Sequence, residues 1–255
     1  MQRPAVRGSR ATAGQLTEAA TGVACYSTPM MIAFGRFLEL SVPTSNVLES
    51  LAFYRSLGFA EWPTGDIRRW HYAVVSDGQI AIGLHQAGFE EPTLSFVRPE
   101  LARQVRVLES LGHTFEWQRL GDDDFHEAAL RAVDGQLIRM MEARTFSPAD
   151  APDHSALGAP CAEVALYCAE PARTQTWLES AGFVAAGDDT ARLIAPGLRL
   201  GLRSGRAPEV AVLSFRPAAV STVVENLAAR QFNPVRGSNH YELRAPEGTR
   251  LLIEL

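Results

Sequence analysis

The chain predicts an α+β fold in which one pattern is used twice, and three observations carry that prediction. Short segments recur in one order. Ile82–Gln86 (IGLHQ) returns as Leu200–Ser204 (LGLRS), and Leu94-Ser95-Phe96 as Leu213-Ser214-Phe215. Leu130–Gly135 (LRAVDG) returns as Leu243–Gly248 (LRAPEG), and Leu57-Gly58-Phe59 as Ala181-Gly182-Phe183. Four matches in the same order mark two homologous copies of a domain. The second observation is that runs with helical spacing alternate with short apolar runs of strand length. The third is that Asp-Gly and Glu-Gly pairs separate neighbouring strand-like runs, where hairpins turn.

The elements follow in order. Phe37–Val42 (FLELSV) reads as a strand ended by Pro43. Ser45–Leu57 carries Val47, Leu48, Leu51, Phe53 or Tyr54, and Leu57 at helical spacing, with Thr44 or Ser45 as cap and Gly58 as stop. A strand fits around Phe59–Trp62. Trp70–Val75 and Gln79–His85 form a hairpin about Asp77-Gly78. The scheme restarts with strand Thr93–Val97 and helix Leu101–Leu111, whose apolar side is Val105, Leu108 and Leu111 and whose stop is Gly112. Strands Phe115–Arg119, Glu127–Arg131 and Gln136–Glu142 complete it, the last two turning at Asp134-Gly135. Phe146–Pro160 is rich in Pro, Ala and Asp without periodicity and reads as a linker. In the second copy the strands are Glu163–Cys168, Thr190–Ile194, Leu198–Arg203, Val210–Phe215, Tyr241–Arg244 and Thr249–Leu255. Its helices are Thr174–Ala181 and Ala219–Ala229, and its last turn is Glu247-Gly248.

Composition narrows the function classes. A length of 255 residues accommodates two domains. The net charge of −5, with no Lys/Arg-rich run, argues against nucleic-acid binding. No apolar run has the length of a membrane helix. The cysteines, Cys25, Cys161 and Cys168, are odd in number and lack CxxC spacing, which points to reduced thiols in a cytoplasmic protein. Residues 1–33 are rich in Ala, Thr, Arg and Gly and read as a disordered leader or a mis-assigned start, with Met30 or Met31 as the alternative. The expected organisation is therefore leader 1–33, domain 34–145, linker 146–160 and domain 161–255.

Val42–Phe59 (VPTSNVLESLAFYRSLGF) resembles the opening of a vicinal oxygen chelate domain, the superfamily of glyoxalases, bleomycin-resistance proteins and extradiol dioxygenases. Phe53, Tyr54, Leu57, Gly58 and Phe59 match its F-Y-x-x-L-G-F element, and Asp134-Gly135 and Glu247-Gly248 stand at its late turns. The resemblance covers the chain from about Phe34 onward. It implies four βαβββ units in two glyoxalase-like domains, each a half-open barrel with helices on its convex face and a ligand on its concave face. Strand alternation then turns Phe37, Glu39 and Ser41 toward the cavity and Leu38, Leu40 and Val42 toward the helices.

Metal-dependent members hold a divalent ion with His, Gln or Glu from four strands. The matching positions in the first copy are Phe37, Gly83, Thr93 and Arg139, none of them a usual ligand. In the second copy they are Glu163, Gly201, Val212, and Leu252 or Glu254, two donors at most. The expectation is no cofactor, with a divalent metal as the alternative, in an atypical site using Glu39, His85 and Glu163 or Glu254, or His126 or Glu127. The first cavity is expected to be lined by Phe37, Glu39, Ser41, His85, Ser95, Arg139 and Met141. Arg139 is suited to a carboxylate and His85, with Glu39, to acid–base chemistry. A plain alternative pairs Glu39 with Arg139. The second cavity has Glu163, Ala165, Tyr167, Arg203, Ser214, Glu254 and His240, where Arg203 and the carboxylates form an ion-pair cluster. Trp177 is expected in the core, and Trp62, Trp70 and Trp117 in the core or rimming a pocket. The leading function is binding of a small polar-aromatic or carboxylate-bearing molecule in a metal-free cavity of one copy, the better family match favouring the first. The alternatives are a glyoxalase-like lyase, isomerase or dioxygenase, and a structural assembly domain. A monomer or homodimer is expected, with a small-molecule ligand and neither nucleic acid nor membrane as partner.

Overall fold

In the computed structural model the described residues are 33–63, 71–143, 157–187 and 189–255. The leader, Cys25, Trp70 and most of the linker lie outside them. The first copy runs β1 (Arg36–Pro43), α1 (Val47–Ser56), β2 (Ala60–Trp62), β3 (Tyr72–Ser76), β4 (Ala81–His85), β5 (Thr93–Arg98), α2 (Leu101–Ser110), β6 (Phe115–Arg119), β7 (Glu127–Arg131) and β8 (Leu137–Glu142). The second runs β9 (Cys161–Cys168), α3 (Pro171–Ser180), β10 (Val184–Ala186), β11 (Asp189–Ala195), β12 (Leu198–Ser204), β13 (Val212–Phe215), α4 (Val220–Ala229), β14 (Val235–Arg236), β15 (His240–Arg244) and β16 (Arg250–Glu254). The fold is α+β, and a strand, a helix and three strands follow one another four times.

Each copy makes one eight-stranded sheet, in the orders β2-β3-β4-β1-β5-β8-β7-β6 and β10-β11-β12-β9-β13-β16-β15-β14. At the centre β1 and β5 pair antiparallel, and each is flanked by the last strand of its own unit in parallel: β1 by β4, β5 by β8. The second sheet repeats this with β9, β13, β12 and β16. The register also aligns the copies. Leu40 faces Ile82 and Leu94, as Val164 faces Leu200 and Leu213. Glu39 is therefore the counterpart of Glu163, and His85 of Arg203.

That alignment corrects the one expected from sequence, which put Phe37 opposite Glu163. The cause is a β-bulge. The register of β1 against β5 slips between Phe37 and Glu39, so strict alternation fails at Leu38. Phe37 packs in the core, 5.6 Å from Phe96, and does not share the face of Glu39 and Ser41. The matching slip in β9 passes Ala162, with Glu163 facing Ser214 and Cys161 facing Phe215.

The N-cap of α1 is Asn46, not Thr44 or Ser45. Its side-chain oxygen accepts from the Glu49 N–H at 3.2 Å, while Thr44 hydrogen-bonds Ser50. Helix α3 starts before the expected Thr174 because Pro171 suits the first turn. Leu48 and Leu111, expected on apolar faces, are 75% and 67% exposed, while Leu51, Tyr54, Val105 and Leu108 face inward. All four helices stop at a left-handed residue: Gly58, Gly112, Gly182 and Gln231, the last with φ +66°. Only Gln231 bears the Cβ that this conformation disfavours.

The described residues form one compact unit. A single buried cluster joins sheet residues such as Leu40, Leu94, Leu200 and Leu213 to helix residues Tyr54, Leu108, Leu178 and Leu227. Trp177 packs against this cluster, 5.7 Å from Phe34. Each sheet thus has one helix-covered apolar face. The opposite face carries the polar side chains.

Candidate functional site

On that opposite face of the first sheet, Glu39 of β1 is 1% exposed and His85 of β4 is 0% exposed. A carboxylate so buried must be hydrogen-bonded, because desolvating an isolated charge is prohibitive. Glu39 Oε1 meets His85 Nε2 at 2.7 Å and accepts from Ser41 Oγ at 2.7 Å. Tyr72 Oη of β3 donates to Glu39 Oε2 at 2.5 Å. Ser41 and Ser95 hydroxyls pair at 2.8 Å. Burial acts to raise the Glu39 carboxyl, but the hydrogen bond and charge of His85, with the Tyr72 and Ser41 hydrogen bonds, outweigh it and hold the group below its ordinary range. Gly83 makes room: a Cβ there would overlap the Glu39 carboxylate.

Four sequence-selected residues, Glu39, Ser41, His85 and Ser95, therefore converge. Arg139 does not join them. It pairs with Glu127 of β7, which also accepts from Arg119 at 2.9 Å, so the expected Glu39–Arg139 pair is not formed. The Arg139 guanidinium lies 5.0 Å from the ring centre of Phe89 and 5.8 Å from that of Trp117. Met141 is buried opposite Glu127. A cleft of about 380 Å³ opens here, walled by Phe89, Trp117 and Leu137 together with the charged Glu90, Glu91, Glu116, Arg131 and Arg139. Trp117 rims this cleft. Tyr72 and Phe89 were not selected from sequence. Tyr72 opposes His85 across the β3–β4 hairpin, a pairing that the Asp77-Gly78 turn makes countable along both strands. Phe89 lies in a loop and has no periodic signal.

The second sheet keeps the carboxylate and its glycine and changes the partners. Glu163 lies over Gly201, where a Cβ would again overlap it. Arg203 Nη2 donates to Glu163 Oε1 at 3.0 Å, to Ser214 Oγ at 2.9 Å, and to Glu254. Arg216 bridges the same two carboxylates, at 2.8 Å to Glu163 and 2.7 Å to Glu254, and Arg192 reaches Glu163 at 3.2 Å. Burial works against charge at Glu254, yet Arg203 and Arg216 hold its carboxyl below the ordinary range. The ion-pair cluster expected around Arg203 is thus formed, enlarged by Arg192 and Arg216. Tyr167 stands apart, packed on Ala165, Val212 and Leu252, and His240 hydrogen-bonds Asn239 at 3.0 Å.

These donor sets do not fit the divalent ion that the resemblance implied. A catalytic metal takes about three protein ligands with room for a substrate or water. In the second copy two guanidinium groups already bridge Glu163 and Glu254. In the first, both Glu39 oxygens are already taken, Oε1 by His85 and Ser41 and Oε2 by Tyr72. His126 is bound to Glu142 at 2.6 Å and Glu127 to two arginines, so neither completes a set. Among the described residues no three His, Cys, Asp or Glu side chains converge on a common point. No described helix is long and apolar enough to cross a membrane.

No protein-family model matches the sequence, and no curated protein does. Solved structures do match in fold. One is a variant of homoprotocatechuate 2,3-dioxygenase from Brevibacterium fuscum, 13% identical over 86% of this chain and 71% of that one, with a TM-score of 0.59. Another is the 2,3-dioxygenase LapB from Pseudomonas sp. KL28, 16% identical over 88% and 93%, with a TM-score of 0.57. A catechol 2,3-dioxygenase matches at 12% identity over 86% and 87%, with a TM-score of 0.53.

Proposed function

We propose that this chain, which has the vicinal oxygen chelate fold in two fused copies, binds a small aromatic or carboxylate-bearing molecule in the cleft of its first copy, without a divalent ion. The observation that carries this reading is Arg139 beside the rings of Phe89 and Trp117 on the wall of a cleft of about 380 Å³. A guanidinium beside aromatic faces offers planar surface for a ring and, shared with Glu127, charge for a carboxylate. Aromatic walls beside placed charged groups, here Arg131 and Arg139 with Glu90, Glu91 and Glu116, are a means by which small-molecule sites fix a ligand's orientation. The first copy is favoured over the second because Phe89 and Trp117 set ring faces beside its arginine, whereas the second copy's Arg203 and Arg216 bridge Glu163 and Glu254.

Thermal unfolding of the full chain with benzoate and phenylacetate tests this. A ligand at about 100 times its Kd stabilises by about 2.7 kcal/mol. The expected result is a dose-dependent rise in Tm that EDTA leaves in place, and that Arg139→Met removes. The reading fails if chelator abolishes the shift, or if elemental analysis finds about one mole of Zn, Fe, Mn or Ni per chain.

A second reading has its own observation. The buried Glu39–His85 pair has the form of an acid–base dyad, and the fold is shared with 2,3-dioxygenases. A lyase, isomerase or dioxygenase would need one mole of metal, and activity lost on His85→Ala. A third reading, a structural assembly domain, predicts neither metal nor a ligand-dependent Tm.

A further inference from the structure

A row of ring and guanidinium groups leads from the buried Glu39–His85 pair to the wall of the first copy's cleft. Tyr72 and His85 have ring centres 4.4 Å apart, and His85 and Phe89 4.3 Å apart. Arg139 follows at 5.0 Å from Phe89 and Trp117 at 5.8 Å from Arg139. Four of the five members are anchored in strands: Tyr72 in β3, His85 in β4, Arg139 in β8 and Trp117 in β6. Phe89 alone comes from a loop, the segment between β4 and β5, and it stands in the middle of the row.

That loop is tied at both ends. The Gln86 N–H donates to the His71 carbonyl at 3.1 Å. Arg131 grips the Glu91 carboxylate with both Nη atoms, at 3.0 and 2.5 Å. Between the ties Gly88, with φ +84°, turns the chain so that Phe89 points inward. The loop therefore presents an aromatic ring to His85 and Arg139, and a carboxylate to Arg131, from one short segment.

We infer that Phe89 is a surrogate occupant of the binding slot. A planar aromatic acid displaces it, the ligand ring taking the Phe89 seat between His85 and Arg139. The ligand carboxylate then competes with Glu127 for Arg139 and with Glu91 for Arg131. This inference rests on the cleft reading above, puts the ligand ring where that reading has the Phe89 wall, and narrows the ligand to a flat ring bearing an acid. A slot filled by the protein's own side chain lowers apparent affinity by the fraction of time it stands open. Removing the ring should recover that loss.

Titration calorimetry of the wild-type chain and Phe89→Ala with benzoate and with cyclohexanecarboxylate tests the inference. The expected result is benzoate binding about tenfold tighter to Phe89→Ala, with a clearly smaller gain for the non-planar acid. Equal benzoate affinity in the two proteins would overturn the surrogate role and leave the cleft reading standing. Equal gains for both acids would overturn the planar slot. Benzoate binding to neither protein would overturn both the inference and the cleft reading. Glu91→Gln provides a second variant should Phe89→Ala fold poorly: it loosens the loop at its Arg131 tie, and it should tighten benzoate binding in the same direction. No change there would count against displacement.

Discussion

Glu39 shows at the residue scale how much chemistry one buried side chain can organise. It gathers a tyrosine, a histidine and a serine from three strands. Removing one partner of a buried, hydrogen-bonded charge costs about 3–5 kcal/mol, so Glu39→Gln should lower the unfolding free energy by that amount in urea titrations. The pH dependence has a definite sign. The carboxyl is held below its ordinary value of 4.5 in the folded chain. Its contribution is therefore complete above pH 4.5 and is lost as the pH falls through the folded value. Stability should decline on acidification below that point, and less steeply in Glu39→Gln; parallel curves would remove Glu39 as the cause. Gln231 offers the opposite kind of change. It ends α4 with a positive φ where the other three helices use glycine, so Gln231→Gly should stabilise by about 1 kcal/mol, seen as a raised Tm. Strand alternation made Glu39, Ser41, His85 and Ser95 legible as one face. It could not reveal Phe89, because a loop side chain follows no period.

At the scale of elements, the bulge in β1 marks where sequence reading ran out. Alternation assumes an unbroken two-residue period, and one extra residue moves everything before it to the other face. Phe37 was assigned to the cavity for that reason, and the comparison of copies then slipped by two positions. Strands β10 and β14, three and two residues long, were missed because such short runs carry no pattern. The longer strands and all four helices were legible because periodicity, Pro-Gly punctuation and the internal repeat agreed. Once the copies are aligned by register, their difference is chemical. A carboxylate over a glycine is kept, and its partner is a titratable imidazole in one sheet and a permanent guanidinium in the other. Arg203 joins β12 to β9, β13 and β16 through Glu163, Ser214 and Glu254. It is partly exposed, so Arg203→Met should cost about 2 kcal/mol, between the values for surface and buried pairs. A loss under about 0.5 kcal/mol in urea titrations would mean that Arg216 alone suffices to hold the two carboxylates.

Across the whole molecule the two copies are bound by reciprocal contacts. Phe53 of α1 packs on Phe232 beyond α4 at 5.6 Å, and Trp177 of α3 packs on His113 beyond α2 at 5.5 Å. The repeat makes these the same contact made twice. Glu247, in the last turn of the second copy, accepts from Tyr54 at 2.7 Å and Ser50 at 2.8 Å, both in α1 of the first. Asp77 of the first copy accepts from the backbone N–H of Cys161 in the second at 2.5 Å. With one apolar cluster running through both copies, calorimetry should record a single unfolding transition. Glu247→Ala, which takes the carboxylate acceptor from the buried Tyr54 hydroxyl and leaves Ser50 with Thr44, should move that whole transition down by about 5 °C, whereas two separate peaks would show the copies to be independent. The reciprocal docking also bears on history and on concentration. A single-copy ancestor could have satisfied the same helix contacts only by meeting another molecule of itself, and its folding would have weakened on dilution. By joining the two copies in one chain, duplication made that encounter intramolecular. It also freed each copy's polar face to change without a matching change in the other, and the two faces have since diverged.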